Sequence, residues 1–240
     1  MKKYILNSEI IKDINLGMDI WENIFSNKEW GKYPSENLIR FIARNFYNVK
    51  DRNKINILEL GLGTGANLWF CAREGFSVSG IEWSKTGVER FKKRLEDENL
   101  SKQIKEIKIG DYAQKLDEFE NESFDAWIDS YSLAYNDFEK TKDIIEKAVS
   151  KLKVGGKFFS ITPSFNNEGF YEDTNLAYHT CFPSSGSDAF TGNIRYCDEL
   201  DIEKLYNGKN YKVIKVQIYS LKEEGKIKNE LFVIEGERYE

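Results

Sequence analysis

The chain has 240 residues, two fifths of them apolar, so one domain of generous size with a full core is expected. A net charge of −5 and no long run of lysine or arginine exclude a phosphate-backbone footprint, so no nucleic-acid partner is expected. No apolar window reaches the length of a membrane span, and Glu9, Lys12 and Asp13 interrupt the start as a signal sequence; the separated Cys71, Cys181 and Cys197 form no Cys-x-x-Cys and point to the reducing cytoplasm.

Apolar residues at helical spacing, Ile11, Ile14, Met18, Trp21 and Phe25, predict a helix over residues 8 to 25. A second helix follows in SENLIRFIARNFY, with Ser35 as N-cap and Glu36 in its first turn. From residue 55 strands and helices alternate. INILEL is a strand, GANLWFCAREG a helix closed by Gly75, SVSGIEW a strand, and SKTGVERFKKRLEDE a charged amphipathic helix. IKEIKIGD and FDAWIDS are strands three and four. The helix in NDFEKTKDIIEKAVSKLK opens on an Asn136/Glu139 capping box and ends at Gly155-Gly156, before a fifth strand, KFFSIT. Such alternation implies right-handed crossovers and a parallel sheet. Residues 163–195 then read as a loop rich in Ser, Asn, Gly and aromatics. A short helix in DELDIEKLYNG and a β-hairpin around Glu224-Gly225 complete the chain. The reading is a single α/β domain over 1–240, with a helical cap at 1–50 and an insertion at 163–195.

Chemistry concentrates at the carboxyl ends of the strands, where open parallel sheets bind ligands. Gly61, Gly63 and Gly65 crowd into five positions after the first strand, and glycine is kept where a backbone turns tightly or approaches a ligand. GLGTGA satisfies the dinucleotide pattern G-x-G-x-x-G/A, so NAD is a rival ligand. Glu59 disfavours it, because an acid beside the glycines repels a pyrophosphate and suits a ligand bearing an ammonium. Glu82 ends the second strand, where a carboxylate can accept both hydroxyls of a ribose, a role common to NAD and adenosyl ligands. Asp111 ends the third, placed to accept from an adenine amino group.

Taken in order, ILELGLGTG, GIEWS, IGDY, FDAWIDS and LKVGGKFF resemble the motifs of class I S-adenosylmethionine-dependent methyltransferases, over residues 55 to 162. The resemblance implies a Rossmann-like seven-stranded sheet, mostly parallel, with its last strand antiparallel. It implies S-adenosylmethionine as cofactor, with Glu59 and the glycine turn at the methionine moiety. Glu82 would lie on the ribose, Trp83 against adenine, and Asp111 with Tyr112 at the adenine edge. EWGKYPSE resembles the segment that folds over the cofactor in small-molecule members, which puts Trp30 and Tyr33 at the site.

Methyl transfer is mainly alignment, and a hydroxyl acceptor also gains from a base. His179, the one histidine, suits that role by its titration range, and Asp129 ends strand four beside the glycine turn, near cofactor or acceptor. Strand four ends in DSYS, without the Asn/Asp-Pro-Pro-aromatic run of nucleic-acid amino-methylating enzymes. PSFNNEG after strand five lacks the Asp-Asn pair of catechol-type enzymes, so no metal is expected. The insertion mixes aromatics such as Tyr178 with polar groups and Arg195. This suits a lid over a polar small acceptor, a sugar or glycan precursor, with Arg195 on a phosphate or carboxylate. TGNIRYCDELDIEKLY resembles bacterial enzymes of surface-glycan or secondary metabolism. The expected function is methylation of a hydroxyl or amine on a small molecule. An NAD-dependent oxidoreductase and a non-catalytic accessory protein are the alternatives.

Overall fold

The computed structural model describes residues 14–240. The helix expected from residue 8 is α1 (Ile14–Asn27) in its described part; its start, with Ile11, lies outside the described residues. α2 (Glu36–Phe46) starts where Ser35 accepts a hydrogen bond from the Leu38 N–H. There follow β1 (Asn56–Leu60), α3 (Ala66–Arg73), β2 (Ser77–Glu82), α4 (Lys85–Asp97), β3 (Ile104–Ile109) and the short α5 (Tyr112–Lys115). β4 (Phe124–Ser130), α6 (Phe138–Lys151) and β5 (Leu152–Pro163) complete the alternation. The remainder comprises β6 (Thr180–Cys181), β7 (Ile194–Arg195), α7 (Glu199–Tyr206), β8 (Tyr211–Glu223) and β9 (Lys226–Arg238).

Seven strands form one sheet in the order β3-β2-β1-β4-β5-β9-β8. The first five are parallel, and β9 runs antiparallel to both its neighbours. β1 and β2 are buried on both faces, as apolar runs between helical layers must be. Alternation along β1 and β4 sends Leu58, Leu60 and Trp127 into one core with Ile144, Ile145 and Leu205 of α6 and α7. Ile57, Ala126 and Ile128 enter the other with Phe41, Leu68 and Phe91 of α2, α3 and α4. Each such apolar side chain contributes about 1.5–3 kcal/mol by leaving water. The strand order reverses between β1 and β4, and the crevice there faces the glycine turn.

Two local expectations are corrected. Asp137, not Asn136, caps α6 by accepting from the Lys140 N–H; Asn136 is buried and donates its amide to the Tyr112 hydroxyl. The helix also ends before the glycines. β5 starts at Leu152, and its pairing with β4 jumps from Phe124↔Leu152 to Ala126↔Lys157, so Gly155 (φ +80°) lies in a bulge. The hairpin turn falls at Glu224-Gly225, both at positive φ. Within the insertion, β6 and β7 pair, and Cys181, Ile194 and Tyr196 pack with Ala134. No helix among the described residues is long and apolar enough to cross a membrane.

Candidate functional site

Gly61 and Gly65 carry the chain from β1 into α3 at φ +70° and +82°, a region that favours glycine. A Cβ on Gly61 would stand 2.5 Å from Ser132, and one on Gly65 would stand 2.1 Å from the Phe91 ring. The turn is therefore pressed between β4's exit and α4. Glu82, at the end of β2, locks it from the side. One carboxylate oxygen accepts from the Gly63 N–H at 2.6 Å and the other from the Ser84 N–H at 2.9 Å. Burial pushes the Glu82 carboxyl above its ordinary range, offset by these bonds. Glu59 is fully buried and pushed well above that range by burial. Its Oε1 accepts from Asn67 Nδ2, and its Oε2 has no partner among the described residues.

These groups line a cavity of about 410 Å³, a size suited to a small-molecule ligand. The lining includes Glu82, Trp83 and Tyr112. The Trp83 and Tyr112 rings lie 6° from parallel with centroids 6.3 Å apart, and the Trp83 Nε1 is buried without a partner among the described residues. The Tyr112 hydroxyl donates to the Ser132 carbonyl at 2.9 Å. The lining also includes residues that sequence reasoning missed: Tyr131, Tyr135, Ser187, Asp188 and Asn229. Tyr131 leaves β4 at φ +76°, costly for a bulky residue, and its hydroxyl donates to Asp188 Oδ2 at 3.0 Å. α1 adds Trp21 and Phe25, and the following segment Trp30 and Tyr33.

Several expected site residues lie elsewhere. Asp129 is wholly buried and does not line the cavity. It accepts from the Ser132 and Leu133 N–H groups at 2.8 and 2.9 Å and from Ser160 Oγ at 2.6 Å, so it shapes the turn that presents Tyr131 and Ser132. Asp111 caps α5 through the Ala113 N–H and pairs with Lys140 at 3.1 Å, outside the cavity lining. Gly65 serves the packing on Phe91 rather than the lining. His179, expected as a base, bonds Asp201 at 2.8 Å and stacks on Tyr178 instead of facing the cavity. The Tyr178 hydroxyl donates to the same Asp201, also away from the cavity. Arg195, expected as an anion anchor, is 1% exposed and directs its guanidinium to Cys197 Sγ and the Asn136 carbonyl. The physical reason is common to both: the β6–β7 hairpin folds these side chains back onto α7 and the start of α6. The lining that remains contains three acids, Glu59, Glu82 and Asp188, and no lysine, arginine or histidine among the described residues.

The lining thus sets buried carboxylate acceptors beside flat aromatic rings: Glu82 is fixed by two backbone N–H groups, and Glu59 Oε2 has no partner among the described residues. Residues 57–156 match the family model described as a methyltransferase domain. No curated protein matches the chain. Among solved structures, a SAM-dependent methyltransferase from Methanosarcina mazei is similar over 83% of this chain and 97% of its own, at 16% identity and TM-score 0.61. Geranyl diphosphate C-methyltransferase from Streptomyces coelicolor, solved with Mg²⁺, geranyl-S-thiolodiphosphate and S-adenosyl-L-homocysteine, is similar over 83% of this chain and 74% of its own (15% identity, TM-score 0.61). The [4+2]-cyclase SpnF is similar over 96% of both chains, at 13% identity and TM-score 0.65. At these identities the likeness is one of fold.

Proposed function

We propose that the chain, whose residues 57–156 match the methyltransferase-domain model, is a class I, S-adenosylmethionine-dependent enzyme that methylates a hydroxyl or amine of a small polar molecule held in the cavity beside Asp188. The observation that supports this reading is the all-acidic charge of the described lining, which repels a pyrophosphate and suits a sulfonium. That weighs against NAD, and the unused carboxylate oxygen of Glu59 weighs against a degenerate, non-catalytic site.

Bound S-adenosylmethionine would supply a methyl group on a sulfonium, passing it to the acceptor's lone pair while the C–S electron pair returns to sulfur. The protein's part is to hold and align. Glu82, fixed by two backbone N–H groups, would accept from the ribose hydroxyls, and Glu59 would take the ammonium. Trp83 would lie against the adenine, with Tyr112 at its edge. Alignment of this kind can supply roughly 7–11 kcal/mol of the barrier. Arg195 is not available to anchor an anionic sugar, so a phosphorylated acceptor loses its expected partner. Free, buried Cys71, Cys181 and Cys197 accord with work in the cytoplasm.

Calorimetry of S-adenosylhomocysteine against NADH tests the ligand, and methyl-labelled S-adenosylmethionine tests the transfer. Label should enter the low-mass fraction of a cell extract. NADH binding in preference, or label found only in nucleic acid, would refute the proposal.

A further inference from the structure

Around Asp188 the cavity combines an acid with aromatic rings. Asp188 is 7% exposed and lines the cavity. Its Oδ2 accepts from the Tyr131 and Tyr196 hydroxyls at 3.0 and 3.3 Å, and its Oδ1 from Ser187 Oγ at 3.1 Å. These are neutral donors, and no cation lines the cavity among the described residues, so the carboxylate's charge is left uncompensated. Trp21 meets Tyr135 edge to face, with centroids 5.2 Å apart and planes at 90°. In the same lining, the Asn229 Oδ1 is buried without a hydrogen-bond partner among the described residues.

A buried charge persists where a partner compensates it, and the described residues supply none here. Aromatic faces attract cations, most strongly where water is excluded. We infer that this part of the cavity is a subsite for a cationic amine, with Asp188 as its counter-charge and the methylated atom a nitrogen. The inference rests on the methyltransferase reading above and narrows its acceptor class. An amine arriving as an ammonium releases one N–H proton to solvent, which frees the lone pair. As the N–C bond forms and the C–S pair returns to sulfur, the positive charge passes from sulfur to nitrogen, opposite Asp188. A hydroxyl acceptor would instead need a strong base, and no histidine or lysine lines the cavity among the described residues.

The test is calorimetry on the protein saturated with S-adenosylhomocysteine, using 2-phenylethylamine, tetramethylammonium, 2-phenylethanol and benzoate as probes. Both cations should bind at least tenfold tighter than the alcohol, and benzoate should not bind. Asp188→Asn should weaken the cations at least tenfold while S-adenosylhomocysteine affinity stays within twofold. Trp21→Leu, which leaves Asp188 in place, should weaken tetramethylammonium several-fold and serves if Asp188→Asn fails to fold. Equal binding of the alcohol, or no measurable cation binding at 10 mM, overturns the inference and leaves the methyltransferase reading standing. A parallel loss of S-adenosylhomocysteine affinity in Asp188→Asn assigns the carboxylate to the cofactor and also overturns it. Failure of the wild type to bind S-adenosylhomocysteine removes both.

Discussion

Glu82→Gln keeps the shape of the side chain beside the glycine turn and removes its charge. In the native protein each carboxylate oxygen accepts one backbone N–H, from Gly63 at 2.6 Å and from Ser84 at 2.9 Å. A carboxamide has one oxygen, so one of these N–H groups must face an NH₂. The loss of a hydrogen bond to a charged group costs about 1.5–3 kcal/mol. This part is felt with or without ligand. At about 2–4 °C per kcal/mol for a chain of this size, the melting temperature should fall by roughly 3–12 °C. A ribose hydroxyl meets the same exchange of acceptor for donor, and this second loss appears only on binding. It is again about 1.5–3 kcal/mol, so S-adenosylhomocysteine should bind about 10–150-fold more weakly. Burial raises the pKa of Glu82, and the hydroxyls favour its charged form. Wild-type affinity should therefore decline as pH falls through that raised value, and the variant should lack this decline. Calorimetry between pH 5 and 8, with a melting curve for each protein, reads all three effects. A lowered melting temperature with unchanged affinity would refute the ribose assignment.

Gly65→Ala combines left-handed strain of about 1–2 kcal/mol with overpacking on Phe91 of about 1–3 kcal/mol, a fall of roughly 4–20 °C in Tm. Gly75→Ala has the same backbone sign but nothing nearer than 3.8 Å, so it should lose much less; equal losses would discount the Phe91 contact. Glu59 has a folded pKa raised well above its ordinary 4.5, so its contribution to stability is full below 4.5 and lost as pH rises through the raised value. Glu59→Gln should thus gain on the wild type between pH 4 and 8 in denaturant titrations, and a pH-independent difference would contradict the argument. His179→Ala should lose about 0.5–1.5 kcal/mol with its Asp201 bond and leave S-adenosylhomocysteine affinity unchanged. A hundredfold loss of methyl transfer, with an acceptor that the wild type uses, would restore it as a base. EDTA should leave S-adenosylhomocysteine affinity unchanged; recovery that needs added Mg²⁺ would reveal a metal site.

The sheet was legible because β1, β2 and β4 are short apolar runs that end in Glu59-Leu60, Glu82 and Asp129-Ser130, each followed by turn and helix signals. Residue type alone could not place their neighbours. His179 and Arg195 drew attention as the reactive members of a segment without periodicity. Two of the groups that occupy them, Asp201 for His179 and the Asn136 carbonyl for Arg195, lie 22 and 59 residues away in the chain and become neighbours only in the folded protein. Asp188 lies in the same segment, and its signal was an acid among aromatics. Tyr131 gave no signal, since a positive φ on a non-glycine residue is imposed by the surrounding fold. Gly155-Gly156 misled for a local reason: paired glycines after a helical pattern read as a helix end, whereas here they let a strand bulge.

Glu22 fastens α1 to the start of α4. Its carboxylate accepts from Ser84 Oγ at 2.5 Å, from the Thr86 hydroxyl, and from the Thr86 N–H at 3.3 Å. The bonds from Ser84 and Thr86 hold its pKa below the ordinary value. α1 carries Trp21 and Phe25 into the cavity wall, so a ligand that had to displace this helix on entry and exit would have a dwell time set by the Glu22 bonds. Cutting the fastening would speed arrival and departure together, a change visible in stopped-flow traces and silent in an equilibrium titration. Turnover limited by product release would then be governed by a carboxylate that does not line the cavity.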